Sequence, residues 1–381
     1  MRTIIINQPR RFVFGDGCMK TAVEDLAQDG SRKAFIVSSP PLHPFIEAFQ
    51  SDWEQTGGST LVFSSIEKEP DLALFQNALD SARRFQPDVV VGLGGGSALD
   101  VAKLVAAMLD IVQPVREFFG IGLLPSRNTR LICLPTTSGT GSEVSPNAIL
   151  LDEKESLKKG VVSPFLMPDG AYIDPELTWS VPPSVTAATG VDALTHCIEA
   201  FANKHAHPVI DQYALEGIKR IARSLEDAIA DGHNRDARAD LALGSVYGGI
   251  CLGPVNTGAV HALSYPLGGE FHIPHGVSNA VLLPHVLRFN LPAAADRYAD
   301  VASALGIAGE HPTEDRASRA IDWLSDFVER CGIPRHLAEF GIPEDQIPHL
   351  AREALKVTRL LVNNPREVSL ADAESIYRSA Y

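Results

Sequence analysis

The first half of the chain alternates short apolar runs with stretches whose apolar residues recur every three or four positions. AFIVSS (34–39), TLVFSS (60–65), VVVGLGGGS (89–97) and LICLPTT (131–137) are rich in β-branched residues and close on small or hydroxylated ones. Continuous apolar runs of that length predict strands buried on both faces. Between them the spacing predicts helices, among them Asp71 to Phe85 and Ala98 to Leu109. Strand and helix in alternation specify a mostly parallel sheet covered on both sides, with ligands expected at the carboxyl ends of its strands. From about residue 180 the pattern changes to long amphipathic helices with no convincing strand. Ile210, Tyr213, Ala214, Ile218, Ile221, Leu225 and Ile229 form one stripe, and Ile321, Leu324 and Phe327 another, both expected in the core. The two prolines of SVPPSV (180–185) mark the junction. The reading is an α/β domain over 1–182 and an all-helical domain over 183–381.

A length of 381 residues agrees with two domains, and 45% hydrophobic with 21% charged residues agrees with a globular enzyme. The 33 basic and 47 acidic residues leave a net charge of −14 with no basic run, which argues against nucleic acid and anionic membrane surfaces as partners. Five scattered cysteines without a C-x-x-C spacing suggest free thiols in a reducing compartment. The three isoleucines of MRTIIINQPRR are too short a run for a secretion signal, so the expected location is cytoplasmic.

Two loops and one set of side chains carry chemistry. Gly92-Leu93-Gly94-Gly95-Gly96-Ser97 follows a strand and opens a helix, where glycines let the backbone approach a phosphate and the helix N-terminus offers N–H groups. Asp100 falls in the first turn, where an acid suits the helix dipole. PTTSGTGSEVS (135–145) is a second such loop, whose Thr136, Thr137, Ser138 and Thr140 can donate to phosphate or ribose oxygens. In VDALTHCIEA, Asp192 and His196 sit four apart on a predicted helix, so both leave from one face. HALSYPLGGEFHIPHG (261–276) adds His261 and His275. Three imidazoles and a carboxylate suit iron, zinc, nickel or cobalt better than calcium or magnesium.

GGGSALDVAK, PTTSGTGSEVS, DEKESLKKG, the D-A-L-T-H pair and HALSYPLGG…HIPHGVSNAVLLPHV, in this order, resemble the iron-containing, group III alcohol dehydrogenase family, from FVFGDG (12–17) to at least His285. The resemblance implies a dehydroquinate synthase-like architecture, with an N-terminal domain holding NAD or NADP and a helical domain holding Fe2+, or Zn2+ in some members. It assigns Asp192, His196, His261 and His275 as metal ligands, and Gly94, Gly95, Gly96 and Ser97 as the pyrophosphate loop. Thr136, Thr137 and Thr140 match the second cofactor loop, Lys158 a lysine reaching the nicotinamide-side ribose, and Thr178 a position lining the cofactor. The implied reaction is reversible hydride transfer between NAD(P) and a small alcohol, diol, aldehyde or ketone, with the metal acting on the substrate oxygen, and the lack of an obvious carboxylate clamp favours neutral substrates. Family members commonly dimerise through an N-terminal strand, so RTIIIN (2–7) is expected to be an edge strand and the protein a homodimer.

Two positions depart from the family pattern. Ser39 stands where many members carry an aspartate that bonds the adenosine ribose and repels a 2′-phosphate, so NADP is expected to serve at least as well as NAD. Tyr265 stands where a histidine often relays protons, with His272 as the nearby substitute. The competing readings are a maleylacetate reductase, which lacks the Asp/His pair, a hydroxy-acid oxidoreductase, a dehydroquinate synthase-like lyase, whose ligand set begins with glutamate, and a catalytically silent nucleotide- or metal-binding protein.

Overall fold

The computed structural model of the chain describes residues 2–155, 157–307, 309 and 311–381. It divides into two compact units. One comprises Asn7–Thr137 with Gly141–Ser180, and the other Val181–Tyr381 with the residues up to Ile6 and Ser138–Thr140.

The first unit carries every strand found among the described residues: β1 (Arg11–Phe14), β2 (Lys33–Val37), β3 (Ser59–Phe63), β4 (Val89–Gly94), β5 (Gly120–Ile121), β6 (Arg130–Pro135), β7 (Asn147–Asp152), β8 (Leu157–Val162) and β9 (Gly170–Ile173). Its main helices are α1 (Cys18–Gln28), α2 (His43–Gln55), α3 (Leu72–Phe85) and α4 (Gly96–Met108). Six strands form a parallel sheet in the order β1-β9-β6-β4-β2-β3. The central VVVGLG of β4 is buried at every position, while the edge strands β1 and β3 leave residues exposed, as expected of a sheet covered on both faces. Alternate residues feed opposite layers. Phe35, Val37 and Val90 join α3 and α4, whereas Ala34, Ile36, Val89 and Val91 join α1 and α2. The three-stranded sheet β5-β8-β7 is an addition that the apolar runs did not announce.

The expected edge strand over residues 2–7 is absent: the first strand begins at Arg11. A β-branched sequence becomes a strand only when a neighbour accepts its ladder bonds, and among the described residues none pairs with this segment. Ile5 stands 74% exposed, and Arg2 donates to the carbonyls of His205 and Pro254.

The second unit is helical: α5 (Pro183–Phe201), α6 (Pro208–Ala230), α7 (Arg235–Leu252), α8 (Ala259–Phe271), α9 (His275–Ala304), α10 (Thr313–Arg330), α11 (Ile347–Ala354), α12 (Thr358–Leu361) and α13 (Leu370–Ser379). From Gly190 to Phe201 every residue of α5 is buried, which makes it the axis around which α6, α7 and α9 pack. Small residues set the approach: a Cβ on Gly217 of α6 would meet Cys197 Sγ at 2.5 Å. The predicted stripe on α6 is the packed face, with Ile210, Ala214, Ile218, Ile221 and Leu225 all buried. No described helix is long and apolar enough to cross a membrane.

Candidate functional site

Ligand-bearing side chains converge inside the helical unit from three helices. Asp192 and His196 lie one turn apart on the buried length of α5, His261 lies in the first turn of α8, and His275 is the first residue of α9. The approach of α9 depends on Gly276, where a Cβ would stand 2.2 Å from the carbonyl oxygen of Ala188 on α5. Gly248 of α7 likewise leaves room beside His196, whose Cβ would be 3.3 Å from a methyl placed there.

A single oxygen, Asp192 Oδ1, faces all three imidazoles: His261 Nε2 at 3.4 Å, and His196 Nε2 and His275 Nε2 at 3.8 Å each. One donor atom each from Asp192, His261 and His275 falls within 4.8 Å of the others. Donors placed tetrahedrally about 2.1 Å from a common centre lie roughly 3.4 Å apart, so these spacings fit a divalent ion. Asp192, His196 and His261 are buried. The rings of His196 and His261 stack at 4.7 Å, and His275 meets His261 edge-on at 5.3 Å.

Burial works against charge on Asp192, but the surrounding imidazoles outweigh it and hold the carboxyl well below its ordinary range. Burial lowers His196 to about 4. For His261 burial pulls the same way, yet Glu199 and Asp192 together outweigh it and raise the ring to about 9. A charged carboxylate thus sits among the three imidazoles.

Two residues of this site escaped the sequence reading. Glu199 lies three residues beyond His196 on α5; its Oε2 meets His261 Nδ1 at 2.5 Å and its Oε1 accepts the Val260 N–H at 2.7 Å. Asn279 lies four residues beyond His275 on α9 and donates from Nδ2 to Asp192 Oδ1 at 2.7 Å. The helical spacing was legible in both cases, but neither residue type called attention to itself.

Of the two relay candidates, Tyr265 is buried with its ring 6.0 Å from that of His275. His272 is exposed, caps α8 in the left-handed conformation at φ 55°, and does not join the clustered ligands.

In the first unit, the parallel register brings the candidate dinucleotide loops to one sheet edge. Val37 of β2 pairs with Gly92 of β4, and Gly94 pairs with Pro135 of β6. Ser39, Gly94–Ser97 and Thr136–Thr137 therefore leave three adjacent strands at their carboxyl ends, where the chain order reverses between β2 and β4. Ser38 Oγ ties the first of these to the second through Leu93 O at 2.6 Å, and Thr136 N–H ties the third through Gly94 O at 3.0 Å. Gly94 cannot be larger, since a Cβ would sit 2.7 Å from that of Ala98.

Behind the loops, Asp100 is engaged within the unit: it accepts from Ser142 Oγ and, at 2.9 Å, from the Ile149 N–H. Buried Lys103 donates to Ser142 O and Ser145 O at 2.8 Å each, so α4 clasps the second loop from below. Lys158 is on β8 with its ammonium paired to Glu69, and the hydroxyl of buried Thr178 donates to Pro175 O at 2.7 Å. Thr140 lies in the short piece of the loop grouped with the helical unit.

Comparison with known proteins covers nearly the whole chain. The family model described as iron-containing alcohol dehydrogenase matches residues 9–175, and that for the C-terminal part of the Fe-containing alcohol dehydrogenase family matches residues 186–381. Long-chain-alcohol dehydrogenase 1 of Geobacillus thermodenitrificans is 39% identical over 96% of this chain and 94% of its own. Sulfoacetaldehyde reductase of Bilophila wadsworthia is 35% identical over 94% of each. Among solved structures, a 1,3-propanediol oxidoreductase superposes with a TM-score of 0.96 at 33% identity, covering 100% of both chains.

Proposed function

The chain belongs to the iron-containing alcohol dehydrogenase family and is a metal-dependent alcohol dehydrogenase or aldehyde reductase, and from that premise we propose which residues carry the reaction. Asp192, His196, His261 and His275 hold one divalent ion, Fe2+ or Zn2+. The observation that supports this is the single oxygen Asp192 Oδ1 facing three imidazole nitrogens at 3.4 to 3.8 Å. When bound, the ion would supply Lewis acidity to the substrate oxygen.

The protein supplies the rest by position. The N-terminus of α4 at Gly94–Ser97 receives the pyrophosphate, with Thr136, Thr137 and Thr140 donating to phosphate or ribose oxygens and Lys158 and Thr178 on the nicotinamide side. Asp100 supports these contacts by holding Ser142 and the backbone of Ile149. In oxidation, a bound nicotinamide would take the hydride from the alcohol carbon, and the hydroxyl proton would leave towards solvent. Tyr265 is the relay favoured by its position against His275, and exposed His272 is the second candidate.

Ser39 ends β2 without negative charge, which supports NADP as a cofactor at least as good as NAD. Relatives named for 1,3-propanediol and lactaldehyde support small neutral alcohols, diols and aldehydes as the substrate class. A cytoplasmic homodimer completes the reading, supported by five buried free thiols and by the exposed N-terminal segment around Ile5.

NADPH oxidation with three- to six-carbon aldehydes, before and after metal removal, tests the proposal. Turnover should fall to background in chelated protein and return with Fe2+ or Zn2+. Full turnover by metal-free protein would refute it.

A further inference from the structure

We propose that Glu199 is a positioning residue of the metal centre, holding His261 by ring and backbone at once and supplying the second negative charge that a divalent ion in this buried site requires. The inference rests on the metal reading above. The grip is two-pointed. Oε2 meets Nδ1 of the imidazole at 2.5 Å, and Oε1 accepts the N–H of Val260, the preceding residue, at 2.7 Å. One contact alone would let the ring pivot; the pair fixes both where α8 begins and how the ring is turned. With Nδ1 directed at the carboxylate, Nε2 is the nitrogen left facing Asp192 Oδ1 at 3.4 Å. A partner on the far ring nitrogen fixes the tautomer and raises the basicity of the ligating one.

Room for the carboxylate is kept open by a glycine. Gly258, at the N-terminus of α8, leaves the space in which it lies, since a Cβ there would come within 3.3 Å of both Glu199 Oε1 and Asn364 Oδ1. Asn364 and Asn290 exchange reciprocal amide bonds of 2.9 and 2.7 Å, and Asn364 Oδ1 also meets the Ala259 N–H at 3.4 Å. A buried polar network thus runs from α9 and the C-terminal segment to the first turn of α8. Charge gives a second argument. As metal ligands the imidazoles are neutral, so Asp192 alone would leave a dication with one unit of charge uncompensated in a poorly screened interior. Glu199, also buried, brings the negative charges to two.

The test uses the full chain with Glu199→Gln, which keeps an oxygen acceptor but removes the charge, and with Glu199→Asp, which keeps the charge but draws it back from Nδ1. Affinity for Zn2+ is read by chelator competition, and ligand geometry by the visible bands of the Co2+-substituted protein, with far-ultraviolet circular dichroism of the metal-free proteins as a check on folding. Both variants are expected to bind Zn2+ about 10–100-fold more weakly than wild type, with shifted Co2+ bands. If Glu199→Gln does not fold, Glu199→Asp is decisive by the same readings. A folded variant with unchanged affinity and unchanged bands overturns the proposal. Wild-type protein that binds no ion at the cluster would instead overturn the metal reading beneath it.

Discussion

Gly276→Ala is a one-methyl test of how the ligands are brought together. The added Cβ would stand 2.2 Å from the Ala188 carbonyl oxygen, against a practical minimum of 3.0 Å, so α9 must retreat from α5 by about 0.8 Å or more. The obstacle is backbone, which has no rotamer in which to escape. His275 is the adjacent residue and its Nε2 lies 3.8 Å from Asp192 Oδ1. Ligand distances tolerate only about 0.2 Å of error, so such a retreat removes one donor from the set. The overpacking should cost roughly 1–3 kcal/mol in the metal-free protein. The displaced ligand should weaken metal binding by at least the roughly 10–100-fold that loss of a ligand's outer partner costs. Urea unfolding of the metal-free protein and chelator competition measure the two effects separately. A variant that loses stability but keeps wild-type metal affinity would refute the link between the helix contact and the ligand set.

Two further predictions concern the first unit. Burial raises the carboxyl of Glu143 from 4.5 to about 7. The unfolded chain releases that proton near its ordinary value while the folded chain retains it, so stability falls as pH rises through this window and the loss is complete above it. Glu143→Gln should therefore gain on wild type by about 3 kcal/mol between pH 4 and pH 8 in urea melts, and a pH-independent difference would refute the assignment. Ser39→Asp places a carboxylate where a 2′-phosphate would lie and should lower kcat/KM for NADP relative to NAD by roughly 100-fold; equal effects on both cofactors would show that Ser39 is not at the adenosine ribose.

The alternation of apolar runs in the first half was enough to specify a parallel sheet, because strands covered on both faces leave no polar face in their sequence. The runs at 34–39, 60–65, 89–97 and 131–137 became β2, β3, β4 and β6, each slightly shorter than its run. The small sheet was hidden by its composition: β8 reads LKKGVV, with two lysines, and β5 is two residues long. RTIIIN misled in the opposite sense, since its residues favour strand but its ladder partner is not supplied by the described chain. Spacing on one helix made Asp192 and His196 legible, while the meeting of α8 and α9 with α5 came from glycine contacts that no local pattern encodes. Glu199 and Asn279 lay at helical spacing from recognised ligands, and a search for acceptors and amides on those same faces would have found them.

Metal content of anaerobically purified protein, compared with that of His261→Ala, tests the central claim most directly. The ring of His261 faces Asp192 Oδ1 on one side and Glu199 on the other, so its removal should empty a site that in wild type holds about one iron or zinc per chain. Wild type that carries no metal yet reduces aldehydes, or a variant that keeps its full complement, would contradict the account.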